Sequence, residues 1–492
     1  MNDFLLAVPI IIPFLIFGYI LLKKDMDFKR AHRYSLSGGV ICIAAILLII
    51  YSNDKMQLEI LKTGEFFKIY INIDKIGQLF STLACILWIF TLIYSMEYMR
   101  EYENAKIFFA FFSAALGSTI GIAFSGNMLT MCIFYFMLTF STFPLMAHNE
   151  QDGGGIKYLA YSLKGGVLIL AGIIAVYTVS PNMDFAASGV SYIESQKLIL
   201  AIGFVLMFLG FGAKAAMVPF HSWLAQSAKS PTPAGSIFHA ALVVQSGIFA
   251  IIRISYFIFG AKLLRDMDVQ SIAISMAALT VLMGSFTALK KENLKERLTY
   301  STIGQLGYIL IGVFMLDSNA LTGGILHLVN HALIKIILLF CAGAVYKSLG
   351  KQDVSDMKGV GKKMPVTMGC FSIAAVSLIG IPPTNGFVSK WYLVTASIDS
   401  GKTIAAAVLL VSAFLTDSYL MPVVIKSFFY DCECNGCKEK GDCKFEQKSD
   451  ECEMGFATVF SLVALTFAAV AIGVYPSALV GFVSAIVSGV GL

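Results

Sequence analysis

The chain has 492 residues, of which 57% are hydrophobic and only 14% charged, with a mean hydropathy of +0.78 and a net charge of +5. Soluble globular domains carry about 25% charged residues, so this composition excludes that class. The basic residues lie between apolar runs rather than in one patch, which argues against a nucleic-acid partner.

The apolar runs reach the ~20 residues that a helix needs to cross a hydrocarbon core of ~30 Å. They lack the alternation of an outer-membrane barrel, and open sheet edges are not tolerated in lipid. An all-α polytopic bundle of about fourteen spans is therefore expected. In chain order the spans fall near residues 4–22, 35–51, 77–98, 107–125, 128–147, 158–179, 197–220, 233–258, 269–289, 299–315, 320–346, 365–397, 403–425 and 454–478. The apolar tail after Pro476 is too short to span and is expected at the interface. The N-terminal run has neither a basic n-region nor a small-residue cleavage site, so it reads as the first span rather than a signal peptide.

Orientation follows from lysine and arginine. With the N-terminus outside, the inside loops include 23–33, 290–298, 347–364 and 426–453, and inside loops hold roughly 23 basic residues against fewer than ten outside. Both termini are then external to the cell membrane.

Two spans are punctuated. The seventh ends in GFGAKAAMVPFHSWL, with Pro219 just after Lys214, and the twelfth carries GIPPTNGFVSKWYL, with Pro382, Pro383 and Gly386 near its centre. Proline removes a helix donor and clashes with the preceding turn, so both helices are expected to break there. Paired broken helices point to inverted repeats with polar sites at the breaks. The repeats are expected over 107–258 (spans four to eight) and 269–425 (spans nine to thirteen), after an N-terminal unit 1–106. A cytoplasmic cysteine-rich loop 426–453 and a last helix with its tail, 454–492, follow.

Lysine at a helix centre costs ~2.5–3.5 kcal/mol on insertion scales, so one placed there needs water, a partner or a job. Lys164, Lys214, Lys335, Lys390, Arg253, Asp417, His239, His327 and His331 all lie within apolar runs. Lys164 and Arg253 read equally well as snorkelling from helix ends. In HLVNHALIK, His327, His331 and Lys335 are spaced i, i+4, i+8 and share one helical face. No acid or further ligand accompanies them, so a titratable stripe facing the bundle interior is the better reading than a metal site.

GFGAKAAMVPFHSWLAQSAKSPTPAGSIFHAA, RLTYSTIGQLGYILIGV, HLVNHALIKIILLFCAG and GIPPTNGFVSK occur in that order, and with YSMEYM they cover most of residues 90–425. Through them the chain resembles the antiporter-like, proton-translocating subunits of complex I, membrane-bound hydrogenases and Mrp antiporters. It is most similar to the distal large-subunit type, without that subunit's lateral helix. The resemblance implies that Lys214 is the lysine of the broken seventh helix, that His239, His327, His331 and Lys335 form the relay of helices eight and eleven, and that Lys390 is the twelfth-helix lysine. It also implies departures. Phe136 stands where the family places a fifth-helix glutamate, Gln245 where other subunit types have a lysine, and Asn293 where an aspartate is usual. Asp417 is an unexpected acid that could face Lys390.

Five of the ten cysteines fall in DCECNGCKEKGDCKFEQKSDEC. Cys432, Cys434, Cys437 and Cys443 have the spacing C-x-C-x2-C-x5-C, which suits zinc or, second, an iron–sulfur cluster, and a solvated reduced loop stays open as the alternative. No nucleotide, flavin or haem motif occurs. The expectation is a non-redox subunit that moves protons, or exchanges sodium for protons, beside other membrane subunits and a peripheral redox module, in lipid. An Mrp-type antiporter subunit is the first alternative, and a structural scaffold that has lost transport is the second.

Overall fold

The computed structural model describes residues 3–52, 56–63, 67–102, 104–147, 154–186, 189–240, 243–431 and 452–492. A single 3-10 turn, Asp3–Ala7, leads into α1 (Val8–Leu22), followed by α2 (Phe28–Ser52), and a β-hairpin of β1 (Gln57–Thr63) and β2 (Phe67–Asn72) precedes α3 (Lys75–Tyr98). Then come α4 (Ala105–Ala123), α5 (Met128–Met146), α6 (Gly154–Tyr177), α7 (Lys197–Lys214) and the short α8 (Ser222–Ser227). The eighth span is made of α9 (Thr232–Ala240), α10 (Val243–Arg253), a π turn at Ile254–Phe259 and α11 (Gly260–Asp266). The remainder is α12 (Val269–Lys290), α13 (Leu294–Phe314), α14 (Ser318–Leu349), α15 (Val360–Lys363), α16 (Pro365–Ile379), α17 (Asn385–Asp399), α18 (Thr403–Phe429), α19 (Phe456–Val474) and α20 (Ser477–Val487).

Among the described residues, 12 helical runs are long and apolar enough to cross a membrane. The two expected spans outside that group have physical reasons for it. In α13 the first turn carries Lys295, Glu296 and Arg297, which lowers the hydropathy of the run. The twelfth span is split into α16 and α17, each of 15 residues. The fourteen expected spans are therefore all helical. The hairpin was not anticipated; its signal is the alternation QLEILKT…FKIYIN, whose strands pair Gln57 with Asn72 and Thr63 with Phe67. The second span starts at Phe28 rather than near 35, because the basic turn FKRAHRY is already helical. The tail after Pro476 is α20, whose Val483, Ile486 and Val487 are buried, and it packs against α14.

At the centre is α14, buried around its whole circumference from Ala320 to Val345. Its 32 residues span ~48 Å, longer than the apolar layer. Asp317 caps its N-terminus by accepting from the Ala320 amide (2.9 Å), and Gly350 ends it in the left-handed conformation (φ +70°). Helices α3, α9, α13, α16, α17, α19 and α20 surround it. A helix apolar all round needs such a shell, and the polar residues it carries are thereby removed from lipid.

Both expected breaks are present. Helix α7 stops at Lys214, and Ala216 just beyond takes a positive φ of 52°. Helix α16 stops at Ile379, where Gly380 adopts φ +93° and its amide donates to Val376 O (3.1 Å). A Cβ at Gly380 would meet Lys390 Cδ at 2.9 Å, so glycine here serves both the turn and the side chain beside it.

Candidate functional site

The broken end of α16 explains Lys390. The last carbonyls of a helix have no partner within it. Lys390, from the second turn of α17, donates to two of them, Leu378 O (2.7 Å) and Ile379 O (3.0 Å). A cation at a helix C-terminus is also favoured by the aligned peptide dipoles. The ammonium lies 5.0 Å from the ring centroid of Tyr308 on α13. Asn385, at the start of α17, clasps the break to α14: Asn330 Nδ2 donates to Asn385 O (2.7 Å) and Asn385 Nδ2 to Asn330 Oδ1 (3.2 Å).

From Lys390 the polar groups run inward along α14. Tyr308 stacks on His327 with centroids 5.3 Å apart. His327 Nε2 lies 3.0 Å from Gln305 Oε1, a geometry that assigns the proton to Nε2, and Nδ1 lies 2.9 Å from Ser389 Oγ. One turn on, the His331 ring is 6.3 Å from that of His327, and its Nδ1 accepts from Gln245 Nε2 of α10 (3.1 Å). One turn further, Lys335 donates to Leu298 O (3.1 Å) and Ser301 Oγ (2.7 Å) of α13. Ser301 is hydrogen-bonded to Tyr419 of α18 (2.7 Å), and Tyr419 to Thr416 (3.2 Å). His239 Nε2 meets Ser227 Oγ (2.8 Å) and Thr299 Oγ1 of α13 (3.4 Å).

All of these side chains are removed from solvent: His331 and Lys335 are 0% exposed, His239 and His327 1%, and Lys390 7%. No carboxylate lies within ion-pair distance of Lys335 or Lys390 among the described residues. Several atoms on this path have no protein partner there: Gln305 Nε2, His331 Nε2, Gln245 Oε1 and His239 Nδ1. Buried polar atoms are rarely left unpaired, and a row of them along one path is the chemistry that bridging water satisfies. The arrangement can pass a proton between neutral imidazoles, hydroxyls and amines.

Lys214 is held differently. It donates to Tyr135 O (2.9 Å) and Thr139 Oγ1 (3.0 Å) on α5, and its ammonium sits 3.6 Å from the Tyr135 ring centroid. No carboxylate lies within ion-pair distance among the described residues. Phe136, at the expected glutamate position, packs against Gly166 of α6 instead. Among the described residues no direct hydrogen bond joins Lys214 to the His327–Lys335 row.

Asp417 is half-buried on α18 and makes no hydrogen bond or ion pair among the described residues. It does not pair with Lys390, whose donors go to the carbonyls of α16. Arg253 does not snorkel: it is buried and donates to both oxygens of Asp74 (2.5 and 2.7 Å), with Phe185, Phe249 and Phe257 around the guanidinium. Lys164 is exposed on the outer face of α6. Asn293 caps α13, accepting from the Glu296 amide (3.3 Å). Cys432, Cys434, Cys437 and Cys443 lie outside the described residues; Cys452 is described and its amide donates to Lys363 O (3.1 Å).

Sequence reasoning missed how much of the site α13 supplies. Ser301, Gln305 and Tyr308 line one face, and the signal was there as polar residues spaced by three and four within STIGQLGY, while Thr299 turns to His239 from another.

The family described as NADH:quinone oxidoreductase/Mrp antiporter, transmembrane, matches residues 125–416. The NADH-quinone oxidoreductase subunit N of Desulforudis audaxviator is 32% identical over 405 residues, 78% of this chain and 80% of its own length. The Na(+)/H(+) antiporter subunit A1 of Staphylococcus aureus is 28% identical over 453 residues, 85% of this chain and 54% of its own, so the chain spans about half of that longer protein. Among solved structures, a chain of the Mrp complex from Dietzia sp. superimposes with a TM-score of 0.88 at 20% identity, covering 100% of this chain and 97% of that one. A chain of the membrane-bound sulfane sulfur reductase, an archaeal respiratory complex, gives 0.85 at 22%, with the same coverage. At these identities the structural likeness establishes the fold alone.

Proposed function

Because the chain belongs to the transmembrane family shared by NADH:quinone oxidoreductases and Mrp antiporters, we propose that it carries protons across the membrane as one subunit of a redox-driven, complex-I-like assembly. It is an antiporter-like, ion-translocating membrane subunit, and other membrane subunits are its partners. The observation that carries the reading is the buried row Lys390–Tyr308–His327–His331–Lys335, joined by ring contacts and anchored by hydrogen bonds from His327 and Lys335 to Gln305 and Ser301 of α13. Such a row is costly in a membrane protein unless it serves transport.

In this reading Lys390 and Lys335 exchange protons, His327 and His331 relay between them, and His239 extends the row toward the first half. Residues 107–258 and 269–425 are the two inverted repeats, each with its broken helix. Both termini face outward from the cell membrane. Asp417 and Lys164, polar residues on outward faces of α18 and α6, contact neighbouring subunits rather than lipid. A peripheral redox module supplies the driving force, and the sequence carries no nucleotide, flavin or haem motif.

The likeness to subunit A1 over 85% of the chain favours a second reading, an antiporter driven by an existing gradient. Purification of the chain with its attached subunits separates the two. A redox-driven assembly brings down a peripheral part with iron–sulfur absorbance. Co-purification of small membrane subunits alone, without that absorbance, would reject the first reading.

A further inference from the structure

A second polar feature lies away from the ion path, where α2 begins and α3 ends. A cleft of about 560 Å³ opens there between Phe28, Lys29, His32 and Arg33 of α2 and Met96, Glu97 and Arg100 at the end of α3. Volumes of this size are typical of ligand pockets. Lys29, Arg33 and Arg100 are exposed and make no hydrogen bond or ion pair among the described residues. The acid in the cleft is already engaged: the Glu97 carboxylate accepts from the Ala457 amide (3.0 Å), the Thr458 amide (3.1 Å) and Thr458 Oγ1 (2.7 Å), holding the start of α19. His32 is likewise occupied, with Nε2 2.8 Å from Leu92 O. The lining therefore carries three cations against one carboxylate that is held by neutral donors, a net excess of positive charge around one opening.

The lining also has apolar members, Phe28 and Met96. Met96 is 46% exposed, and beyond it α2 presents Val40, Ile41, Leu47 and Leu48 on its outer surface. A ligand with an anionic head and long apolar chains satisfies both halves at once.

We propose that this cleft binds the head group of an anionic phospholipid, with the phosphodiester between Lys29, Arg33 and Arg100 and the acyl chains along α2. Basic pockets between transmembrane helices at the membrane surface recognise such lipids, and each cation contributes to the preference. This inference needs only the membrane insertion of the chain, so it stands or falls separately from the transport reading.

The test is native mass spectrometry of the full chain in detergent, titrated with phosphatidylglycerol or with phosphatidylcholine of the same acyl chains. The wild type should take up its first phosphatidylglycerol about tenfold or more tightly than phosphatidylcholine. K29Q/R33Q/R100Q should bring the two lipids within about twofold. Met96→Trp, which fills the cleft and leaves the charges, should also lose the tightly held lipid, provided both variants melt as the wild type does in phosphatidylcholine. Equal uptake of both lipids by the wild type overturns the proposal. So does displacement of the lipid by millimolar inorganic phosphate, which would make the site one for a free anion. Loss of a partner subunit from the triple variant, with lipid uptake unchanged, overturns it in favour of an acidic protein segment.

Discussion

Lys214, Lys335 and Lys390 each donate to backbone carbonyls, yet their surroundings differ in what they permit. Lys390 and Lys335 connect through Tyr308, Ser301 and the histidines to further polar groups. Lys214 meets an aromatic face, a carbonyl and a threonine hydroxyl, with no acid beside it. A desolvated cation–π contact contributes about 2 kcal/mol, enough to hold the side chain in place without a carboxylate. Lys335 and Lys390 also lack an acid, so what sets Lys214 apart is that no direct hydrogen bond links it to the His327–Lys335 row among the described residues. Lys214→Ala should therefore reduce ion flux in proteoliposomes less than Lys390→Ala does, and equal loss in both would contradict a weakened first half. The absence of the glutamate was legible in the sequence as Phe136. The replacement was not, because it depends on the ring of Tyr135 and the hydroxyl of Thr139 turning toward α7, which only packing decides.

At the scale of elements, proline made the breaks legible, Pro219 beyond α7 and Pro382 and Pro383 between α16 and α17, whereas Gly386, read with them, lies inside α17 and the turn itself is made at Gly380. What fastens the second break was hidden, since Asn330 and Asn385 lie 55 residues apart. Asn385→Leu keeps the backbone carbonyl that Asn330 Nδ2 donates to, but strips the partners of Asn330 Oδ1 and Ser377 Oγ, at a cost of about 1–3 kcal/mol. The variant should melt at lower temperature in detergent, and an unchanged midpoint would show that the clasp does not hold the break. The Arg253–Asp74 pair, which ties α10 to the start of α3, was similarly hidden. Its two variants should differ. Asp74→Ala strands a guanidinium that is 2% exposed, costing about 3–5 kcal/mol, whereas Arg253→Ala strands a carboxylate 35% exposed that water can reach. Thermal unfolding of both checks the order, and a larger loss for Arg253→Ala would reverse the account.

For the whole molecule, composition and run length gave the helical bundle, and the order of motifs gave the family. Outward-facing polarity needed the structure: Asp417 read as a partner for Lys390, but it sits half-buried on α18 while Lys390 turns to the carbonyls of α16. Nothing in the spacing of two residues on neighbouring helices reveals which way each points. If Asp417 meets a neighbouring subunit, Asp417→Leu should reduce the amount of that subunit recovered with the chain while leaving the chain's own melting midpoint unchanged. Full recovery would place α18 against lipid.

The central claim is that the buried row along α13 and α14 is the route of the transported ion. Among its members Lys335 is the most direct target, because it is 0% exposed and joins α14 to Ser301 and Tyr419. The deciding measurement is coupled ion flux by the assembled complex in proteoliposomes, comparing wild type with Lys335→Ala at equal subunit recovery. The account predicts that flux is abolished in an intact complex. Wild-type flux with Lys335 replaced would contradict it and leave the chain a scaffold, or move the route elsewhere.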